Sequence, residues 1–125
     1  LQQSDVPREV FAQVRSDMRY MITNGTAQVP LHNTVVQIAG KTGTAEVGRK
    51  DHWHSWMAAY GPYNAPPEDA VVVVVLVEAQ NTWEWWAPYA TNIIFQGIFA
   101  NQTYEEAVEA LGRKRFASVG RTRQE

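Results

Sequence analysis

The sequence predicts an α+β fold, an antiparallel sheet flanked by helices, and three observations lead to this class. Residues 6–24 place apolar side chains at every third or fourth position, which is the spacing of one helix face. Three segments rich in β-branched and aromatic residues follow with short loops between them, which indicates neighbouring antiparallel strands. A further apolar stretch at helical spacing comes after the third segment, so one helix should precede the strands in the sequence and another should follow them.

The first helix is predicted over residues 6–24. Its apolar face consists of Val10, Val14, Met18 and Met21. Asp5 is of a type that caps helix starts, so we expect its carboxylate to bind the first free N–H groups. Asn24 and Gly25 are expected to end the helix in the left-handed conformation that these residue types adopt most easily.

The strands are predicted over residues 35–46, 53–63 and 70–78, with turns at 48–51 and 64–67. The third strand is an unbroken apolar run rather than an alternating one. Such runs are typical of strands that are buried on both faces, so we expect this strand to be covered on both faces and central.

Two helices are predicted after the sheet. Residues 89–100 carry apolar side chains at helical spacing, and a short amphipathic helix follows over 103–111. Thr103 and Glu106 have the spacing of a capping box, in which each side chain bonds to the backbone N–H of the other.

Composition and charge limit the classes of function. Hydrophobic residues make up 45% of the 125 residues and charged residues 19%, which is typical of one folded domain. Residues 1–112 form the predicted domain, and 113–125 are a polar basic tail that we expect to be disordered. A net charge of −2 gives no basic surface for nucleic acid, and the lack of cysteine excludes disulfides and thiolate metal sites.

The sequence Lys41-Thr42-Gly43-Thr44 lies near the end of the first predicted strand. Because strand side chains alternate between faces, Thr42 and Thr44 should point to one side and Lys41 to the other. Two hydroxyls on one side can bind a carboxylate, while Gly43 has no side chain and allows a ligand backbone to approach. The alternative interpretation is an ordinary strand followed by a glycine turn, and the surrounding elements favour the functional one.

The same residues suit acyl transfer to a serine. Lys41 would place a positive charge beside the nucleophile and help to move its proton. The backbone N–H of Thr44 would be one of two donors to the developing oxyanion, the other being the N–H of the nucleophile itself. One such donor typically lowers the barrier by roughly 3 to 4 kcal/mol.

Three segments together resemble a known family. Thr-Asn-Gly-Thr-Ala at 23–27 is followed by Val-Gln-Ile-Ala-Gly-Lys-Thr-Gly-Thr-Ala-Glu at 36–46 and His-Ser-Trp-Met-Ala-Ala-Tyr-Gly-Pro at 54–62. With the valine strand after them, they resemble the end of a class B penicillin-binding protein, most of all the elongation type, over roughly residues 6–100. The resemblance makes residues 1–112 the C-terminal part of a penicillin-binding-protein or serine β-lactamase-like transpeptidase domain.

The resemblance implies an enzyme that cross-links peptidoglycan stem peptides through an acyl-serine intermediate and is acylated by β-lactams. It implies catalytic roles for Lys41 and Thr44, substrate binding by Thr42, Gly43 and Thr44, and neither cofactor nor metal. It also implies a place at the periplasmic face of the inner membrane of a bacterial cell envelope, with the membrane anchor in a segment absent from this chain. A membrane glycosyltransferase is an expected partner.

Two departures from the family are visible. The Ser-x-x-Lys and Ser-x-Asn motifs are absent, since no serine of this chain has lysine three positions on or asparagine two positions on: Ser4, Ser16, Ser55 and Ser118. The chain alone therefore lacks a nucleophile, and an upstream segment, in the same or a separate chain, is expected to supply it. Residues 83–86, Trp-Glu-Trp-Trp, replace the glycine-rich turn of relatives.

Several alternatives remain open at this stage. A β-lactamase or a D,D-carboxypeptidase would share the fold and differ in how fast water attacks the acyl-serine. A non-catalytic penicillin-binding-like sensor or scaffold would keep the fold without the chemistry. His52 and His54 could ligate a metal from one strand face, but no third ligand is evident, so we favour structural histidines. The tryptophans are expected mainly in a core or interface.

Overall fold

A three-stranded antiparallel sheet and three α-helices make up the protein. The structure, a computed structural model, describes residues 3–80 and 86–113. In chain order the elements are α1 (Arg8–Thr23), β1 (Ala39–Glu46), β2 (His52–Gly61), β3 (Val71–Gln80), α2 (Trp86–Ala100) and α3 (Tyr104–Ala110), with a 3₁₀ turn at Pro67–Asp69. The predicted α+β class, an antiparallel sheet flanked by helices, is confirmed.

The sheet has the order β1-β2-β3, and its register assigns every strand residue to one of two faces. Lys41 lies opposite Ala58, which lies opposite Val74, and directly opposed residues point to the same face. The face we call the core face carries Gly40, Thr42, Thr44, Ser55, Met57, Ala59, Val73, Val75 and Val77. The face we call the open face carries Ala39, Lys41, Gly43, Ala45, His54, Trp56, Ala58, Tyr60, Val72, Val74, Leu76 and Glu78.

The hydrophobic core lies between the core face and α2. Met57 in the middle strand and Phe95 in α2 are both fully buried, and Phe99 stacks on Phe95 with ring centroids 6.1 Å apart. Ile22 at the end of α1 and Leu31 in the following loop close the same core. The residues that lead into β1 are therefore anchored by the packing beneath the sheet.

A buried amide network holds the α1–β1 connection against α2. The Asn92 side chain is 1% exposed and donates to the carbonyls of Pro30 (3.0 Å) and His32 (2.9 Å). Its oxygen accepts a hydrogen bond from Asn33 Nδ2 at 2.9 Å. Because each of these buried groups is paired, the network fixes the loop without the cost of an unsatisfied polar atom.

The strand start predicted at residue 35 was wrong, since β1 begins at Ala39. Asn33 Oδ1 accepts hydrogen bonds from the backbone N–H groups of Val35 (2.8 Å) and Val36 (3.0 Å), which holds them in a local turn. These β-branched residues therefore lie in a turn in spite of their strand propensity.

The ends of α1 also differ from the prediction. Pro7 occupies the N-cap position without a side-chain hydrogen bond, so the expected cap by Asp5 is wrong. Asn24 has φ −135° rather than a left-handed conformation, and its N–H bonds to the carbonyl of Tyr20. Gly25 is required for space, because a Cβ there would lie 2.8 Å from the Cα of Met21.

The expectation that the third strand is central and covered on both faces is wrong for this chain. Within the described residues β3 pairs only with β2, and α2 covers only its core face. On the open face Val72 and Val74 remain exposed.

The capping box of α3 is confirmed. Glu106 N–H donates to Thr103 Oγ1 at 3.3 Å, and the Thr103 N–H donates to the Glu106 carboxylate at 2.8 Å. After this helix, Arg113 donates to the carbonyl of Val29 and lies over the ring of Tyr89. The rest of the predicted tail, residues 114–125, and most of the tryptophan-rich segment, residues 83–85, lie outside the described residues.

Candidate active site

The motif Lys41-Thr42-Gly43-Thr44 lies in β1, which pairs only with β2 within the described residues and so has one free edge. Lys41, Gly43 and Thr44 are exposed and Thr42 is half-buried. The Lys41 ammonium donates a hydrogen bond to the carbonyl of the next residue, Thr42, at 2.8 Å. The motif therefore lies open at a sheet edge.

The alternation of side chains predicted for the motif is confirmed. Thr42 and Thr44 lie on the core face opposite Met57 and Ser55, and Lys41 lies on the open face opposite Ala58. Groups on both faces of an edge strand can contact a ligand that lies along its free edge, as an added strand does. The ammonium and the two hydroxyls would then contact such a ligand from opposite faces.

Backbone polarity indicates that the N–H of Thr44 points to this free edge. In an antiparallel strand, alternate residues direct both N–H and C=O to the same side. The carbonyl of Thr42 accepts a hydrogen bond from Lys41 Nζ, and the carbonyl of Ile38 accepts one from Arg19 of α1. Both carbonyls have partners outside β2, which indicates that they point to the free edge. Thr44 has the same parity as these two residues, and its N–H is therefore suited to donate to a ligand.

Two glycines in β1 have different surroundings. A Cβ at Gly40 would lie 2.6 Å from the carbonyl oxygen of Ala58 and 2.6 Å from Met57 Cε, which is closer than atoms can pack. A Cβ at Gly43 would meet only Trp56, at 3.3 Å from its Cβ. Gly40 is thus needed for strand packing, while a side chain at Gly43 would meet a milder contact, with Trp56 alone.

A groove of about 460 Å³ lies between α1 and β1 at the start of the motif. Its walls include Val14, Met18, Met21, Asp17 and Lys41. The groove brings a mainly apolar helix face to the side chain of the motif lysine.

Arg15 fixes α1 at one end of this groove. Its Nε donates to Tyr60 Oη at 3.3 Å and its Nη2 to the carbonyl of Tyr63 at 3.0 Å. The guanidinium also lies 5.8 Å from the centroid of the Tyr63 ring. The hydrogen bond with Tyr60 raises the pKa of Arg15 above its ordinary value.

Comparison with known proteins decides the family. The family model of the penicillin-binding protein transpeptidase domain matches residues 1–100. The chain belongs to this family. No curated protein matches the chain.

Among solved structures, ten chains match this one. One is the crystal structure of the D,D-transpeptidase domain of a peptidoglycan glycosyltransferase from Eggerthella lenta, with 23% sequence identity and a TM-score of 0.57. The match covers 86% of this chain but 22% of that one, so the chain spans about a fifth of the length of that protein. The similarity supports the transpeptidase fold of this chain.

Ser55 is a residue of this transpeptidase domain that the sequence did not single out. Its Oγ accepts a hydrogen bond from the backbone N–H of Ala87 at 3.2 Å and so ties β2 to the first turn of α2. It lies directly opposite Thr44 on the core face. A small hydroxyl residue between His54 and Trp56 was the only signal, and it is too common to be specific.

Two histidines lie in β2, His52 and His54. His52 Nδ1 lies 2.8 Å from the carbonyl oxygen of Lys50, and the part of the chain that the structure describes has no group of three potential metal ligands. Trp56 lies on the open face beside Gly43 and is 39% exposed.

No helix within 3–80 or 86–113 has the length and apolar character needed to cross a membrane.

Proposed function

We propose that this chain forms half of the active site of a serine-type D,D-transpeptidase that cross-links peptidoglycan stem peptides. Membership of the transpeptidase family carries the proposal. The exposed edge strand with Lys41, Thr42 and Thr44 supports it, because these groups suit a carbonyl under attack and a carboxylate beside it. The nucleophilic serine comes from an upstream segment of a longer protein, which we call the parent protein.

In the proposed reaction the serine oxygen attacks a stem-peptide carbonyl and displaces an amine. The serine C–O bond forms, the peptide C–N bond breaks, and the serine proton passes to the leaving amine. Lys41 stabilises the negative charge near the nucleophile and assists this proton transfer. The Thr44 N–H donates to the oxyanion, and the hydroxyls of Thr42 and Thr44 bind the substrate carboxylate. An amine of a second stem peptide then attacks the acyl carbon: the new C–N bond forms, the C–O bond to serine breaks, and the amine proton returns to the serine oxygen.

A β-lactam is attacked in the same way, because its ring amide presents a carbonyl to the same serine. The parent protein then belongs to the class B, elongation-type enzymes and acts at the periplasmic face of the inner membrane. An anchor outside this chain holds it there, beside a membrane glycosyltransferase. The resemblance of the three motif segments supports these assignments, and membership of the transpeptidase family is consistent with them.

Labelling with a fluorescent penicillin tests the proposal. The intact parent protein is incubated with the probe and digested, and we expect the label on a serine upstream of this chain. Lys41→Ala should slow acylation on the order of 100-fold, as the loss of a charged or oxyanion-stabilising group does. Lys50→Ala, in the exposed turn between β1 and β2, is the matched control and should acylate at the wild-type rate.

Three outcomes would contradict the proposal in different ways. Equal acylation of Lys41→Ala and wild type would refute the role of the lysine. Rapid hydrolysis of the label would indicate a β-lactamase, and the absence of label on the intact parent protein would indicate a non-catalytic scaffold.

A further inference from the structure

Thr44 of the motif has a second hydroxyl residue as its direct neighbour on the core face. Ser55 lies opposite it in the register of β1 and β2. Because Thr44 directs its own N–H and C=O to the free edge, the two residues form a non-hydrogen-bonded pair, in which antiparallel strands approach most closely. The Cβ atoms of such a pair are about 4.5 to 5.5 Å apart, so hydroxyl groups on both can form a hydrogen bond with each other.

The oxygen of Ser55 is held in place from the side of α2. Its Oγ accepts a hydrogen bond from the Ala87 N–H at 3.2 Å. Ala87 lies in the first turn of α2 and is fully buried, and Thr91 Oγ1 donates to its carbonyl at 2.7 Å. The donor to Ser55 therefore belongs to a part of the helix that is fixed by packing.

The bond from Ala87 leaves the Ser55 proton available. A serine hydroxyl has two lone pairs that accept and one proton that it can donate, and this bond occupies a lone pair. The start of a helix carries a partial positive charge, and a hydroxyl that accepts a hydrogen bond becomes a stronger donor. The strand register places Thr44 Oγ1 directly opposite as the acceptor for this proton.

We propose that Ser55 is a positioning residue for Thr44. In the substrate complex Ser55 donates to Thr44 Oγ1, which turns the Thr44 proton towards the substrate carboxylate. A chain of hydrogen bonds then runs from the first turn of α2 through Ser55 and Thr44 to the carboxylate. The inference deepens the proposed function and rests on it. Its benefit is that the Thr44 hydroxyl is oriented before the substrate arrives, which lowers the cost of binding.

Two other roles for Ser55 fit less well. It does not have the surroundings of a nucleophile, because the residue three positions on is Ala58 and the motif lysine lies on the opposite face of the sheet. A purely structural tie between β2 and α2 needs the Ser55 oxygen alone, whereas positioning of Thr44 needs its proton as well. The two roles therefore predict different responses to the charge of the ligand.

The effect of Ser55 is measured as a preference for a carboxylate. The intact parent protein is acylated by a fluorescent penicillin and by the methyl ester of the same compound, whose carboxylate is neutralised, and the ratio of the two rate constants is taken. Ser55→Ala removes the hydroxyl and Ser55→Thr retains it. Ser16→Ala, at an exposed position of α1, is the matched control. Urea unfolding establishes that each variant is folded.

We expect the acid-to-ester ratio to fall on the order of 10-fold in Ser55→Ala, as for the loss of a hydrogen bond that supports a charged group. The rate with the ester should change much less. Ser16→Ala should keep the wild-type ratio, and Ser55→Thr should restore most of it. Equal slowing with the acid and the ester in Ser55→Ala would overturn the proposal, because Ser55 would then only support the fold.

A double-mutant cycle tests whether Ser55 acts through Thr44. Thr44→Val removes the acceptor hydroxyl and keeps the branched shape of the side chain. In this background Ser55→Ala should change the acid-to-ester ratio little, since the two substitutions break the same chain of hydrogen bonds. A further loss on the order of 10-fold would contradict the relay through Thr44.

The same measurements separate this inference from the proposed function. A wild-type parent protein that the penicillin does not acylate would refute the proposed function, and the role of Ser55 with it. Normal acylation of the wild type, with the same acid-to-ester ratio in Ser55→Ala, would refute the role of Ser55 alone.

Discussion

Gly40, directly before the motif lysine, is the sheet position where an added methyl group should lower the free energy of unfolding most. In Gly40→Ala the new Cβ would lie 2.6 Å from the Ala58 carbonyl oxygen, 2.6 Å from Met57 Cε and 2.9 Å from Ala59 Cβ. The Met57 side chain can move. The Ala58 carbonyl belongs to the β2 backbone and the Ala59 Cβ is bonded directly to it, so neither can move unless the strand does. The two strands must therefore separate, which moves Lys41 as well.

The magnitude follows from overpacking of a close-packed core. Adding a methylene-sized group to such a site costs about 1 to 3 kcal/mol. Alanine also restricts the unfolded chain and recovers less than about 1 kcal/mol. We expect Gly40→Ala to lower the free energy of unfolding by about 2 kcal/mol. With a urea m value near 2 kcal/mol per molar, the midpoint falls by about 1 M.

Gly43→Ala is the matched control in the same strand. Its Cβ meets only Trp56, at 3.3 Å, and faces the open side of the sheet. We expect its free energy of unfolding to fall by less than about 1 kcal/mol, because Trp56 must shift by only a few tenths of an ångström. Urea unfolding followed by tryptophan fluorescence compares the two variants. If Gly40→Ala is as stable as Gly43→Ala, the close approach of β1 and β2 at residue 40 is not as described.

Two further substitutions test the contacts around α2 and α3 by urea unfolding. Asn92→Ala removes the donors to one buried and one part-buried carbonyl and should cost about 2 to 3 kcal/mol, whereas Gln28→Ala, an exposed amide on the same connection, should cost less than about 0.5 kcal/mol. Equal midpoints for this pair would contradict the role of the buried network. Thr103→Ala removes the capping box of α3 and should cost about 1 kcal/mol, with the exposed Thr34→Ala as control. A loss for Thr103→Ala no larger than that for Thr34→Ala would show that the cap is not stabilising.

Much of the fold was predictable because its signals are local. The period of two in strands placed Lys41 and Thr42 on opposite faces, and the spacing of Thr103 and Glu106 identified the start of α3. The errors occurred where a local signal competed with another contact. Val35 has strand propensity, yet the Asn33 side chain holds its backbone in a turn.

The candidate site was predictable in its residue types and not in its surroundings. The four motif residues predict acyl-transfer chemistry, since the lysine, the hydroxyls and the glycine each suit one part of it, and these roles stay a prediction. Their sequence did not show that α1 forms a groove beside Lys41, or that Ser55 bonds to the first turn of α2. Both depend on residues that meet only after the chain has folded.

The type and order of the elements and the alternation of side chains in the motif can be read from the amino-acid order, because these follow from covalent geometry and residues a few positions apart. Which face of the sheet is covered, and where β1 begins, depend instead on long-range packing. Those outcomes depend on pairs such as Asn33 and Asn92, which are 59 positions apart, and on helices that can pack on one side of β3 alone. Neighbouring residues cannot encode such a choice, since it is settled by which distant surfaces can be buried together.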